Sequence, residues 1–314
     1  MEASRKIDLP AASYTPPDSG HFSATATPSS TAPARLILAD DPGYLAWMME
    51  SRIYYHHPCD PFPNHVAGVL DIMARPSRSR GPSIEELRRD RALIDLTMRP
   101  PKQVLKSYVD AYFFPTLRRP EGPLKRIDGQ RMAWRTLPAS VDLSRADVPA
   151  PECLFGYSHT AFSPRTIAPN MGPLDANDHG LLCPFLVLEL QDDTRQINGN
   201  LWEATKKLLA ASASCVDMLA RLNRRLRESG AGDHCLINPA VFSIAMSGTE
   251  ARLFVAWKDV DDNYHMQAVA TFLLQSPQLW LDFRKFVWNI LDWAQDVRLT
   301  DIDAALRILN QLGS

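Results

Sequence analysis

Glu189 is the residue whose position most directly suggests chemistry, because it lies at the end of an apolar segment of strand length. That segment, residues 183–191, is almost continuously apolar, as expected of a β-strand covered on both faces. Side chains alternate along a strand, so Glu189 shares a face with Phe185 and Val187. A carboxylate there is costly unless it is paired, hydrogen-bonded or bound to a cation. The spacing supports a site at the sheet edge and a solvent-exposed strand end equally.

Two adjacent histidines, His56 and His57, are the second candidate, since Cys59 and Asp60 follow them closely. Neighbouring histidines need an awkward geometry to share a metal ion, and Pro58 stiffens the backbone directly after them. The sequence therefore favours loop histidines at a helix end over a metal site. Motifs of other enzyme classes are absent, because the sequence contains no Gly-rich phosphate loop and no GxSxG, HExxH or CxxC motif.

The elements that would position these residues begin with a helical part over residues 36–112. Pro42 follows two aspartates in a helix-opening pattern, and the apolar stripe that starts there extends to Tyr55. Ser83 and Glu86 have the spacing of a capping box. We predict four helices here, at about residues 40–55, 64–74, 83–98 and 103–112.

A sheet core is predicted over residues 150–295. The predicted strands are residues 183–191, 240–246, 251–257 and 264–270, with a further strand at 131–137. A long helix is predicted over 199–228, another from Pro277 to about Gln295, and a short final one, capped by Thr300, over 301–312. The three strands after Gly232 should form an antiparallel meander beside the 183–191 strand. This order predicts an α/β fold, with α+β as the alternative, in one domain over residues 36–314.

Composition limits the function classes. Residues 1–34 are rich in Pro, Ser, Thr and Ala, which predicts a disordered tail that is either an inert linker or a partner-binding segment. The formal charge is −2, so nucleic-acid binding would need a local basic patch. With no run of 18 apolar residues and no signal-peptide core, we expect no membrane span and an intracellular protein, in cytoplasm or nucleus. The five single cysteines argue against a disulfide scaffold.

Five segments carry a resemblance to a known family: residues 152–157, 188–191, 201–216, 242–257 and 283–287. They resemble an uncharacterised fungal family whose domain is similar to the PD-(D/E)XK nuclease-like superfamily. The resemblance covers roughly residues 40–312 and is densest over 150–295. It implies a nuclease-like mixed sheet that is flanked by helices.

The resemblance also implies a catalytic site. In that superfamily, a carboxylate on one strand and an acidic-x-Lys triplet on the next converge at a sheet edge, bind Mg²⁺ and activate water. Glu152 falls at the first acidic position, where the relatives usually have Asp, and Glu189 falls at the second. Gln191 falls at the lysine position, and a neutral amide supplies no positive charge. The resemblance thus implies a Mg²⁺ site held by Glu152 and Glu189, degenerate, with weak or no nuclease activity.

Lys207 is a candidate substitute for the missing lysine. Some superfamily members carry that lysine on the following helix, where Lys206 and Lys207 lie. Lys207 flanks the apolar stripe and could reach the strand end. The sequence favours two simpler alternatives, an i,i+4 surface pair of Glu203 with Lys207 or an inert lysine.

Two further groups could contact nucleic acid. A basic cluster ends the long helix, although cations also suit a helix C-terminus; it comprises Arg221, Arg224, Arg225 and Arg227. Aromatic residues near the C-terminus could stack bases, but their helical spacing indicates core positions; they are Trp280, Phe283, Phe286, Trp288 and Trp293. Two other functions stay open: a non-catalytic interaction module on the same scaffold, and a scaffold recruited to small-molecule chemistry.

Overall fold

A seven-stranded mixed β-sheet organises the part of the chain that the computed structural model describes, which is residues 42–98, 100–115, 122–133, 148–167, 171–191 and 201–312. The strands are β1 (Ile53–His56), β2 (Leu124–Asp128), β3 (Cys153–Tyr157), β4 (Leu182–Leu190), β5 (Val241–Met246), β6 (Glu250–Lys258) and β7 (Tyr264–Leu273). These residues belong to one compact unit, Pro33–Ser314. The predicted disordered tail, residues 1–34, lies outside the described residues.

The strand order across the sheet is β1-β7-β6-β5-β4-β3-β2. β2, β3 and β4 pair antiparallel, β4 and β5 pair parallel, and β5, β6 and β7 form an antiparallel meander. β1 pairs parallel with β7 at one edge. The predicted α/β class with a mixed sheet flanked by helices is confirmed, as is the meander beside the 183–191 strand.

Helices cover both faces of the sheet. They are α1 (Pro42–Glu50), α2 (Asn64–Ala74), α3 (Ile84–Arg88), α4 (Arg91–Asp95), α5 (Lys102–Tyr112), α6 (Pro164–Ile167), α7 (Met171–Leu174), α8 (Trp202–Glu228), α9 (Pro277–Trp293) and α10 (Leu299–Leu312). Leu208 and Cys215 of α8 pack with Val187 on one face, whereas Leu186 and Leu188 belong to the cluster on the other face, with α9 and α10. Every residue of β4 is buried, which explains its continuous apolar run.

The helical part departs from the prediction in two places. The first helix ends at Glu50, and residues 53–56 form β1 instead of continuing the helix, so His56 ends a strand. The capping box of Ser83 and Glu86 is confirmed, but the helix it opens does not run to residue 98. Asp90 interrupts it, because its carboxylate accepts the N–H of Ala92 and caps a new helix, α4.

The strand predicted at 131–137 is wrong for residues 131–133, which are irregular, while 134–137 lie outside the described residues. β2 and β3 were not predicted. Thr300 does not cap a separate helix, because it already lies inside α10, which a π-helical segment joins to α9 without a break. Its Oγ1 donates to the carbonyl of Asp296 in that segment.

Candidate functional site

Glu152 and Glu189 face one another across two neighbouring strands. Glu152 directly precedes β3, and Glu189 is the second-last residue of β4. Cys153 pairs with Leu188 in an antiparallel register. Glu152, which precedes Cys153, therefore lies opposite Glu189, which follows Leu188. The Glu152 N–H donates to Glu189 Oε1 over 3.1 Å. The two acidic positions identified from the sequence therefore lie together at one end of these strands.

Two lysines of α5 bind the Glu152 carboxylate. Lys102 forms an ion pair with Oε2, and Lys106, one turn later, lies 3.4 Å from Oε1. Lys106 also lies 3.1 Å from Asp128 Oδ2 on β2. Burial alone would raise the pKa of Glu152, but the bonds to Lys102 and Lys106 outweigh it and hold the pKa below its ordinary value. Glu152 is thus an ionised, fully engaged carboxylate.

The Glu189 carboxyl has the opposite environment. Glu189 is only 2% exposed to solvent. Burial raises the pKa of Glu189 above its ordinary value, although the charge of Lys207 and the N–H of Glu152 oppose the shift. The two carboxyl groups therefore have pKa values displaced in opposite directions, which is a feature typical of functional sites.

Lys207 reaches this carboxyl from the first turns of α8. Its Nζ lies 3.8 Å from Glu189 Oε2, and its side chain is 65% exposed. Glu203 pairs with Lys206 instead, at 2.7 Å. The surface pair of Glu203 with Lys207 that the spacing favoured is therefore not the observed arrangement, and the ammonium group of Lys207 extends towards the end of β4.

Gln191 follows β4 directly. Its N–H donates to the Met246 carbonyl over 2.8 Å, which extends the pairing of β4 with β5 by one residue. Strand alternation puts Gln191 on the same face as Glu189. The segment that follows, residues 192–200, lies outside the described residues.

Lys102 and Lys106 are the site residues that sequence reasoning missed. Their four-residue spacing predicts one helix face, but nothing in the sequence indicates that this face meets Glu152. Asp128 was missed with them, because β2 itself was not predicted. Arg126 of β2 binds the other side of Asp128 at 2.6 Å and also pairs with Asp110 of α5. Ion pairs between α5 and β2 thus hold α5 against the sheet beside the site.

The donor set suits Mg²⁺ only in part. Carboxylate oxygens are the ligands that Mg²⁺ prefers, and Glu152 and Glu189 supply them from facing positions. Both oxygens of Glu152, however, are already engaged by ammonium groups. Among the described residues, no group of three or more His, Cys, Asp or Glu side chains is arranged to hold a metal ion. A divalent ion would therefore compete with two lysines.

The basic cluster at the end of α8 is largely compensated. Arg221 lies 2.6 Å from Asp217, and Arg224 lies 3.8 Å from Asp262. These acidic partners reduce the charge that the cluster offers to a phosphate backbone. The aromatic residues assigned to the core are confirmed there for three positions that are at most 4% exposed: Trp280, Phe283 and Trp293.

The comparisons with known proteins give a family. The domain of unknown function DUF7924 matches residues 125–306, which is more than half of the chain. The chain belongs to the DUF7924 family. The DUF7924 match begins in β2 and ends in α10, so it contains Glu152, Glu189 and Lys207, whereas Lys102 and Lys106 precede it. A search among curated proteins finds no match. Within the described residues, none of the helices is long and apolar enough to cross a membrane.

The displaced pKa values predict opposite effects on stability for two substitutions at the site. A carboxyl with a lowered pKa stabilises the fold above its unfolded pKa, and this contribution is lost as the pH falls through the folded pKa. Glu152→Gln should therefore lower the free energy of unfolding at pH 7 by about 1.5–3 kcal/mol. A carboxyl with a raised pKa stabilises the fold below its unfolded pKa and loses that contribution as the pH rises. Glu189→Gln should therefore leave stability at pH 7 unchanged or raise it by up to about 1 kcal/mol.

Urea unfolding at pH 7 and pH 4 measures both effects. The exposed Glu203→Gln on α8 is the control, with an expected change within about 0.5 kcal/mol. A larger loss for Glu189→Gln than for Glu152→Gln at pH 7 contradicts the assignment of the two environments.

Proposed function

We propose that the Glu152–Glu189 end of the sheet is a phosphodiester-binding site of a nuclease-like domain, in which Mg²⁺-dependent cleavage is weak or lost. The observation that supports this function is the hydrogen bond from the Glu152 N–H to the Glu189 carboxylate. It reflects two acidic residues on neighbouring strands, which is the arrangement that the PD-(D/E)XK resemblance implies. The fungal origin implied by the same resemblance is part of this proposal.

Mg²⁺ would be held here by Glu152 and Glu189. When bound, the ion polarises the phosphoryl group and lowers the pKa of its bound water. The lysines of α5 weaken this site, because Glu152 must release Lys102 or Lys106 before it can offer an oxygen to the ion. We therefore expect any cleavage to need high Mg²⁺ or Mn²⁺ concentrations.

Lysine side chains supply the affinity for nucleic acid in this proposal. Lys102, Lys106 and Lys207 bring three ammonium groups to Glu152 and Glu189, and Lys106 also shares the Asp128 carboxylate with Arg126. Burial biases the Glu189 carboxyl towards the neutral form. When a phosphate backbone binds, its oxygens would replace the carboxylates as the partners of the lysines. Lys207 also gives the site a positive charge that Gln191 lacks.

A second function, a non-catalytic interaction module, is favoured by one observation. Both oxygens of Glu152 are already paired, so the site is electrostatically satisfied without a metal ion. Such a module would retain the binding of a phosphate backbone and lack cleavage at every metal concentration.

Binding and cleavage of single- and double-stranded DNA and RNA test the proposed function. The wild-type chain should bind nucleic acid, and Lys207→Ala should reduce the slope of log K against log salt by about 0.7–0.9, the value of one phosphate contact. The control is Lys285→Ala on α9, a lysine paired with Asp282 outside the site, which should not change the slope. Glu189→Ala should abolish any cleavage seen with Mg²⁺ or Mn²⁺.

Two results contradict the proposal. One is the absence of nucleic-acid binding by the wild-type chain at low salt. The other is metal-dependent cleavage that persists unchanged in Glu189→Ala.

A further inference from the structure

Two histidines meet at the opposite edge of the sheet from the Glu152 site. His56 ends β1, and His265 lies on β7, the strand with which β1 pairs. His56 Nε2 and His265 Nδ1 are 2.7 Å apart. Trp257 of β6 stacks on both rings, with centroids 5.6 Å and 5.4 Å away. The sequence drew attention to His56 through its neighbour His57, but the fold pairs it with a residue 209 positions away.

Carboxylates face the outer nitrogen of each ring. His265 Nε2 lies 2.9 Å from Asp259 Oδ2, and His56 Nδ1 lies 3.6 Å from Asp60 Oδ2. A neutral imidazole has one N–H, and a carboxylate attracts that N–H to the nitrogen it faces. Only Asp259 lies within hydrogen-bond distance, so it holds the proton of His265 on Nε2, and His56 donates its Nε2–H to the lone pair on His265 Nδ1 over 2.7 Å. A cation that replaced this shared proton would meet one nitrogen lone pair from each ring. Carboxylates at the outer nitrogens are also the usual second layer behind metal-binding histidines.

Gln267 has a buried amide on the same face of the sheet as this pair. Its Nε2 donates to the carbonyls of His57 at 3.1 Å and Asp60 at 2.6 Å, which fixes the orientation of the amide. Its Oε1 is buried and accepts no hydrogen bond from any of the described residues. Gln267 pairs with His56 in register and is two residues from His265 on β7, so the three side chains share one face of the sheet.

We propose that His56 and His265 bind a divalent transition-metal ion such as Zn²⁺, with Gln267 Oε1 as a third donor. Imidazole nitrogens select Zn²⁺, Cu²⁺ or Ni²⁺ over Mg²⁺. Metal–nitrogen bonds of about 2.0–2.1 Å at angles of about 90–109° separate the two nitrogens by about 2.9–3.3 Å. The rings therefore need to open by a few tenths of an ångström, and the remaining coordination positions are left for water.

Titration of Zn²⁺ into the EDTA-treated full chain tests the site. The wild-type chain should bind one ion, and its melting temperature should rise by about 5 °C at a hundredfold excess over Kd. His56→Ala and His265→Ala should each lose this rise, measured against their own metal-free melting temperatures. The control His57→Ala, an exposed neighbour, should retain the full rise.

Co²⁺ gives a second measurement that needs no variant. The wild-type chain should show visible cobalt bands without a sulfur-to-cobalt charge-transfer band, because the donors are nitrogen and oxygen. A sulfur band would assign the ion to Cys59, the exposed thiol near His57, and would overturn the proposal. A Zn²⁺ response that survives in His56→Ala and His265→Ala, or that is lost in His57→Ala, overturns it as well.

Discussion

Replacing Gln191 by lysine is expected to raise the rate of Mg²⁺-dependent phosphodiester cleavage by about 100- to 1000-fold over that of the wild-type chain. Gln191 shares a face with Glu189 at the end of β4, where the fold positions the carboxyl group beside Glu152. A lysine there adds a fixed positive charge next to the attacking water and the developing charge on phosphorus. The glutamine can orient a water molecule through a hydrogen bond but cannot stabilise that negative charge.

Single-turnover cleavage of labelled DNA and RNA measures the effect. Gln191→Met is the control, since it has a similar length and no charge, and its rate should not exceed that of the wild type. Lys207→Ala should change the rate of Gln191→Lys little, because the new lysine takes over the role. If the wild-type chain already cleaves efficiently and Lys207→Ala alone abolishes cleavage, Lys207 fully replaces the missing lysine and the degenerate-site proposal fails.

Gly156→Ala is expected to lower the free energy of unfolding by about 3 kcal/mol or more. Gly156 lies in β3, where the register with β4 shifts between Phe155 and Tyr157. An added Cβ would lie 2.5 Å from the Leu182 carbonyl oxygen and 3.3 Å from the Pro184 Cα. Both are backbone atoms of the neighbouring chain segment, so they can yield only if the two strands separate. The same separation would move Glu152 away from Glu189.

Gly68→Ala is the matched control, with an effect of opposite sign. Gly68 lies within α2, and a Cβ there meets nothing within 4 Å. Alanine should stabilise the helix by about 0.5–1 kcal/mol. Chemical denaturation of both variants at pH 7 gives the comparison. A Gly156→Ala protein as stable as the wild type would show that β3 and β4 do not approach as closely as described.

The elements that sequence analysis predicted well are those with long apolar patterns. β4 is buried throughout, and α8 repeats its apolar residues along a helix of 27 residues, so burial produces a recognisable sequence pattern in both. β2 gives no such signal, because its charged side chains are matched by α5 and not by an apolar core. β1 has only four residues and continues the apolar stripe of α1, so the change from helical to strand periodicity could not be detected in the sequence.

The candidate site was predictable only to the extent that one strand carries its own signal. Glu189 is noticeable because a carboxylate interrupts an apolar strand. Glu152 entered through a family resemblance alone, and its position opposite Glu189 depends on the register of β3 with β4. Lys102 could not be placed there, since a helix face does not reveal its partner. The i,i+4 spacing favoured Glu203 as the partner of Lys207. Spacing along a helix cannot show that Lys207 reaches Glu189 at the end of β4.

The parallel pairing of β1 with β7 has a consequence for how the chain assembles during synthesis. Of the seven strands in the described residues, β1 is synthesised first, yet the strand with which it pairs, β7, is synthesised last. His56 and His265 are 209 residues apart, so about 10–40 s of translation separates them at about 5–20 residues per second. During that interval the strands encoded between β1 and β7 can pair with one another, whereas β1 cannot yet pair with β7. β1 is therefore synthesised early but can take its place in the sheet only after β7 has been made.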